Sequence, residues 1–358
     1  MKPRTIEQLR SIRLRNQRIA GSTAATAQDV VASLGAVQAQ EFWPAKWALG
    51  LRSMVSEADV DHELDEGRIV RTHILRPTWH FVSAADIRWM LSISGPRVQA
   101  VSSYYYRKHG MTAPLVLRSQ KVIARALEGR AALTRNELGE RLVKARIKLF
   151  DNLLAHLVMH AELEGLVCSG PRRGRQSTYM LLDERVPPTR VPSREDALAE
   201  LARRYFTSHG PAKIQDFVWW SGMTVRDAKT ALEALAGAIV AETFDGEIYW
   251  MAPSSPPGRR PANTVDLLPI YDEYLIAYRD RRAVAEPKEP ADGMQHDIFA
   301  HYLMIDGTVA GSWRKRDAGG TTDIALKPYR PLSRPQLRAA RGIAHRLASF
   351  TGREVRIA

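Results

Sequence analysis

The sequence predicts a mainly helical α+β chain, with three tandem winged helix-turn-helix units, each closed by a β-hairpin wing, and a small C-terminal β-rich domain. Two observations lead there. Between residues 5 and 251, amphipathic helices followed by two short alternating strands occur three times. After residue 258 the texture changes, and short alternating segments become more frequent. Residue identity between the three units is too low for a sequence repeat, so what recurs is an architecture.

In the first unit, Ile6, Leu9, Ile12 and Leu14 interleaved with arginine predict a helix over 5–17. Thr26 opens a second helix, Val30, Val31 and Leu34 form its buried side, and Gly35 closes it. Helices follow over 43–51 and 56–66, then strands over 68–74 and 78–82. Ser83-Ala84-Ala85-Asp86 reads as a capping pattern, and helical periodicity continues with breaks to Glu128. In the second unit Thr134 is the expected N-cap, 151–162 a longer helix, and 166–168 with 178–181 a hairpin. Its tip, Gly170-Pro171-Arg172-Arg173-Gly174-Arg175-Gln176, is a basic wing suited to phosphate backbone. A Pro-rich linker over 187–193 leads to helices over 193–208, 211–220 and 224–235, and to a hairpin turning at Asp245-Gly246. A second Pro-rich loop spans 254–261. Strands over 298–304, 309–314 and 322–326, a helix over 334–349 and a strand over 354–357 complete the chain, with Arg314-Lys315-Arg316 on the flank of a hairpin. The expected domains are 1–129, 130–190, 191–258 and 259–358.

Composition narrows the chemistry. An apolar fraction of 45% and a charged fraction of 25% over 358 residues are those of a globular protein. Apolar runs are too short to span a membrane, and the basic N-terminus lacks the apolar core of a secretory signal, so a cytoplasmic protein is expected. The single cysteine, Cys168, excludes an intrachain disulfide and Cys-rich metal sites. The ten histidines show no metal-binding spacing, and neither metal nor cofactor is expected. With 52 Lys+Arg against 39 Asp+Glu the net charge is +13, which favours a polyanionic partner. Gly-x-Gly-x-x-Gly, P-loop and Gly-x-Ser-x-Gly motifs do not occur, which removes support for nucleotide hydrolysis and α/β-hydrolase chemistry.

The stretch with most chemical content is Leu34-Gly35-Ala36-Val37-Gln38-Ala39-Gln40-Glu41-Phe42-Trp43-Pro44. If it is extended, Gln38 and Gln40 point to one side, whereas a helix would separate them. Gly35 and Pro44 argue for an irregular or extended crossing between two helices. Thr78 and His80 on the first hairpin, and the acidic residues Asp266, Asp272 and Glu273, are the other candidates.

Four segments in order, Ala36-Val37-Gln38-Ala39-Gln40, Arg76-Pro77-Thr78-Trp79-His80, residues 267–275 and residues 305–313, make the chain resemble the AlkZ-like DNA glycosylases. The resemblance implies tandem winged helices, a small β domain, and a monofunctional enzyme that removes N7-alkylated purines and in some members unhooks interstrand crosslinks. It places Gln38 and Gln40 on the family's Gln-x-Gln motif, and Thr78 and His80 on its Thr-x-His motif, with Trp79 where a leucine is expected. The chemistry agrees. N-glycosidic hydrolysis passes through an oxocarbenium-like sugar, and water must be held on the face away from the base. Glutamine is a poor general base, but an N7-alkylated purine already carries positive charge and leaves readily. Ordering a water and presenting carbonyl dipoles to the developing cation then suffices.

Gln38 and Gln40 are thus the expected catalytic pair. His80 is expected to orient DNA or a glutamine, and Thr78, Arg172, Arg173, Arg175, Arg314 and Lys315 to support the site or bind double-stranded DNA carrying alkylated purines. Asp272 and Glu273, near Arg279, Asp280, Arg281 and Arg282, form either a competing acidic site or a structural ion-pair network. Tyr104-Tyr105-Tyr106 reads either as a surface that stacks on bases or, in preference, as a helical aromatic cluster packed between domains. The alternative function is a winged-helix transcription regulator without chemistry. Regulators usually dimerise on symmetric half-sites, whereas three unlike units in one chain suggest a monomer.

Overall fold

The structure, a computed structural model, describes residues 4–21, 23–253, 262–284 and 300–357. The Pro-rich loop over 254–261 and the start of the strand expected over 298–304 lie outside them.

Helices Ile6–Asn16, Ala27–Leu34, Phe42–Gly50 and Glu57–Asp65 precede the hairpin of strands Ile69–Ile74 and Arg76–Ser83. Thr26 and Asp29 form a reciprocal capping box at the second of these helices. Gly35 closes that helix at φ 85°, a conformation that side-chain-bearing residues rarely adopt. The chain leaves it as the two-residue strand Val37–Gln38, which pairs antiparallel with Arg76–Ser83 and makes that strand the centre of a three-stranded sheet.

The same order of helix, short strand, two helices and hairpin returns twice. It comprises Ala113–Leu127, Leu133–Thr134, Arg135–Lys144, Leu153–Leu163, Val167–Ser169 and Thr178–Leu181, with Leu133 opposite Tyr179. It comprises again Arg194–Ser208, Ala212 bridged to Trp250, Ile214–Ser221, Val225–Ala234, Val240–Phe244 and Glu247–Met251. Between the first two stretches runs Ile87–Lys108. A Cβ at Gly95 would lie 2.6 Å from the Leu163 carbonyl oxygen, so this helix and Leu153–Leu163 meet backbone to backbone there. The capping pattern expected over residues 83–86 is not made, because the helix starts only at Ile87 and the Asp86 side chain caps nothing. Its carboxylate instead accepts from Trp89 Nε1 at 3.0 Å and from Arg204 at 2.5 and 2.9 Å, a tie to the third repeat of the architecture.

The C-terminal segment is a five-stranded sheet in the order Glu354–Ile357, Thr321–Pro328, Thr308–Ala318, His301–Ile305 and Val265–Leu268, packed with helix Arg334–Thr351. Thr308–Ala318 runs longer than the six-residue strand expected, because residues 314–318 pair with 321–325 beyond the buried part of the sheet.

The core explains where the site falls. One cluster unites the first helices with the C-terminal sheet, and two indoles lock it: Trp47 Nε1 donates to the Leu267 carbonyl at 2.8 Å and Trp313 Nε1 to that of Leu268 at 2.9 Å. A second cluster joins the helix Ile87–Lys108 to the helices over 194–234. The hairpin Ile69–Ser83 is the seam, giving Ile69 and Phe81 to the first cluster and Val70, Ile74 and Val82 to the second. Period-2 alternation permits this, since one strand serves two layers.

Candidate active site

The glutamine stretch lies along this seam. Gln38 stands opposite His80 in register, and the chain leaves the ladder after Ala39 N–H donates to the Trp79 carbonyl at 2.7 Å. Gln38 Oε1 accepts from Arg76 Nη2 at 2.8 Å, and Gln40 Oε1 from the Trp79 backbone N–H at 3.4 Å. Both amides are therefore held by the one strand Arg76–Ser83. A carbonyl oxygen has two lone pairs, so each retains capacity for a further donor such as water. Pro44 falls in the first turn of Phe42–Gly50, where its missing N–H costs nothing.

Arg71, on the neighbouring strand, fixes the exit of the glutamine stretch. Its Nε donates to the Ala39 carbonyl at 2.9 Å and its Nη2 to the Gln40 carbonyl at 3.3 Å, while its guanidinium lies 4.3 Å over the Trp79 ring. Trp79 itself packs on His73 at 4.3 Å and donates from Nε1 to Glu162 at 3.3 Å. Arg71 and Arg76 were missed as candidates. Arg76 stands inside a quoted motif, but only the strand pairing reveals its reach to Gln38.

His80 is fully buried, so contact with DNA is excluded in this fold, and of its two expected roles only the internal one is sterically open. Its Nδ1 lies 2.9 Å from the Thr78 carbonyl, and neither His80 Nε2 nor Thr78 Oγ1 has a hydrogen-bond partner among the described residues. Burial, followed by the charge of Arg76, pushes the imidazole pKa down to about 3. Because the unfolded chain binds this proton at an ordinary histidine pKa and the folded chain does not, the associated stability is present above about pH 6.5 and lost as pH falls toward 3. Thermal melts should therefore show a Tm falling from pH 7 to pH 5. Base release, by contrast, should show no histidine inflection between pH 5 and pH 8.

The two acidic candidates separate. Asp272 faces Arg52 in a buried bidentate pair at 2.8 and 2.7 Å and caps Tyr274 N–H at 2.9 Å. It is a structural ion pair, not an open site. Asp272→Ala leaves a buried guanidinium unpaired and should cost about 3–5 kcal/mol of stability in a urea melt. Glu273, next to it, turns toward the glutamines: Oε1 accepts from Gln38 N–H at 2.8 Å and Oε2 from Trp220 Nε1 at 3.0 Å, with His209 Nε2 3.7 Å away. Burial pushes the carboxyl up, but the His209 imidazole, His80 and the Gln38 N–H outweigh it and hold the group below the ordinary carboxylate range. Asp280 joins neither residue; it pairs with Lys213 and Arg282 instead. No cluster of metal-ligand type occurs among the described residues.

The basic candidates have mixed fates. Arg173 is committed to Glu137 and to the Ala132 carbonyl. Arg172 lies 4.0 Å over Phe42, and Lys315 lies 3.8 Å over Trp43 while its ammonium also meets Asp317. The wing and the C-terminal hairpin thus converge on the helix start that follows Gln40. Arg175 and Arg314 are exposed. Tyr104 and Tyr105 are exposed as well, at 61% and 52%, which corrects the expectation of a packed cluster; only Tyr106 turns partly inward.

Two neutral amides are held on the hairpin seam, and two basic hairpins approach the start of the helix that follows them. Comparison with known proteins gives the particular family. A family profile described as DNA glycosylase AlkZ-like matches residues 31–350. The chain is 23% identical over 365 residues to an interstrand DNA cross-link repair glycosylase of Streptomyces sahachiroi, covering 95% of each. Its fold matches the solved Streptomyces sahachiroi DNA glycosylase AlkZ with a TM-score of 0.80 at 21% identity, over 99% of this chain and 100% of that one. The chain belongs to the AlkZ-like DNA glycosylase family.

Proposed function

We propose that this DNA glycosylase hydrolyses the N-glycosidic bond of N7-alkylated, cationic purines in duplex DNA, including those that form interstrand crosslinks. Three winged-helix units over 1–129, 130–190 and 191–258 cradle the duplex, with the α+β domain over 259–358 beside them, and the enzyme acts as a cytoplasmic monomer without metal or cofactor. The observation that carries this reading is the anchoring of Gln38 and Gln40 to one strand, each carbonyl keeping a free lone pair. Water oxygen bonds to C1′ of the sugar as the bond to the purine nitrogen breaks, and the departing electron pair neutralises the base. The glutamine carbonyls orient the water and face the developing sugar cation, and the water's proton passes to solvent. Thr78 and His80 hold the strand that positions them.

In the second unit the helix that a regulator would present, Leu153–Leu163, lies against the first hairpin, with Glu162 buried 2.5 Å from His73. The test is single-turnover incubation with a duplex carrying one N7-methylguanine. Free N7-methylguanine and an unbroken abasic strand are expected. Binding without release, together with strong sequence selectivity on undamaged DNA, would overturn the reading. A duplex crosslinked through two N7 positions should separate into single strands on the same basis.

A further inference from the structure

Beside the glutamine pair lies an open cavity of about 280 Å³ that the reaction above does not use, between the hairpin that carries Trp79 and the start of helix Arg135–Lys144. Arg71, Arg135, Asn136, Gln176 and Tyr179 line it. We infer that it holds a phosphodiester group of the DNA backbone beside the nucleotide under attack. The inference rests on the reading of the chain as an enzyme acting on duplex DNA.

The chemistry of the walls is one-sided. Two guanidiniums face the space, and no carboxylate lines it. Arg135 and Asn136 open a ten-residue helix whose N-terminal N–H groups and dipole favour an anion. Of the carboxylates nearby, Glu137 is taken by the Thr134 cap and by two bonds from Arg173, and the buried Glu162 by His73 and Trp79. A second feature is independent of the helix. Tyr179 is 6% exposed, lines the cavity, and makes no side-chain hydrogen bond among the described residues. Its hydroxyl is the polar atom that this side chain can offer to an occupant of the cavity. Arg135 and Asn136 likewise spend their side chains on nothing else that is described, whereas the Nε and Nη2 of Arg71 are already committed to the glutamine stretch.

Size alone also suits a purine stacked on Trp79, but charge decides against it. A cationic alkylpurine entering between two arginines and a helix N-terminus is repelled, whereas a phosphodiester is attracted by all three. The position adds a purpose. Arg71 touches both the cavity and the Gln40 carbonyl, so a phosphate seated there sets the sugar's distance from the water-holding amides.

The test is a neutral-phosphate scan that needs no base release. Equilibrium binding of duplexes that each carry one non-hydrolysable 2′-fluoro N7-methylguanosine, which fixes the register, and one methylphosphonate is measured for the wild type and for Arg135→Ala, Tyr179→Phe and the double variant. For the wild type, one position should cost about tenfold, the value of a charge-assisted bond. That cost should shrink in either single variant and vanish in the double, and Arg135→Ala should lower the salt slope by about one. Tyr179→Phe keeps the ring, so its melting curve separates folding from binding. Absence of any position whose cost depends on these residues overturns the inference. So does tight inorganic phosphate binding that fails to compete with the duplex. A phosphate-independent change in the excision of bulky adducts by Asn136→Ala would mark a base pocket and overturn it too. Failure of base release with the scan intact would instead strike the proposed reaction alone.

Discussion

Gln38→Ala should lower the single-turnover rate of N7-methylguanine release by about 100- to 1,000-fold, the size seen when one preorganised dipole is removed from a charge-developing centre. Gln40→Ala should cost less, because its anchor is the longer bond, 3.4 Å against 2.8 Å for Gln38. Duplex affinity should hold in both variants, since neither side chain carries charge and binding draws on phosphate contacts. The physical argument lies in what the hairpin does for Gln38. Arg76 fixes one lone pair of Oε1, so the amide cannot flip and its remaining lone pair has a set direction. Truncation to alanine leaves Arg76 without that acceptor and the water without a guide. The double variant should be no slower than about the product of the singles, and markedly less than the product would mean that the two amides hold one water together. Rates within tenfold of wild type in both single variants would remove the glutamines from the reaction.

Glu273→Gln should lower the same rate by about ten- to a hundredfold, because a buried negative charge behind Gln38 is removed from under a site where positive charge develops. The substitution keeps the volume and one acceptor oxygen. The fold should tolerate it better than Glu273→Ala, which strands the Gln38 and Trp220 N–H donors in a dry interior. The diagnostic is a split between the two: a rate loss in the glutamine variant with the Tm loss of one unpaired donor, and a larger Tm loss in the alanine variant, which strands both. Equal rate and stability losses in both would mean that Glu273 is structural, like its neighbour. Binding of the undamaged duplex should be unchanged or slightly tighter in Glu273→Gln, since an anion is lost.

The sequence carried local structure well and long-range structure poorly. Apolar spacing and caps such as Thr26 and Thr134 placed the helices, and Asp245-Gly246 placed a hairpin turn, because each signal is complete within a few residues. The extended crossing at Gln38 and Gln40 was readable for the same reason, bounded by Gly35 and Pro44. What could not be read was which partner each charge finds. Asp272 and Glu273 are adjacent, yet one caps a turn against Arg52 and the other reaches the glutamine strand; a tight helical start at Asp272 sends the two carboxylates apart. Basic tips were equally misleading. Arg173 has a carboxylate within reach on the helix Arg135–Lys144 and takes it, while Arg135, an unremarked residue on that helix start, is exposed and lines the cavity. Solvent exposure of Tyr104 and Tyr105 was hidden as well, since aromatic residues in a helix show the same periodicity whether or not a neighbour covers them.

The two indole bonds that tie Trp47 to Leu267 and Trp313 to Leu268 have a consequence for how the molecule opens. The strand that receives them pairs with His301–Ile305, so the helix following the glutamines and the last third of the chain share one cooperative unit. Amide hydrogens of residues 45–51 and 265–268 should then exchange with deuterium at one common rate, governed by the same opening event. The segment that follows the glutamines is then expected not to loosen ahead of the C-terminal sheet, and exchange of residues 45–51 well before 265–268 would show that it opens alone.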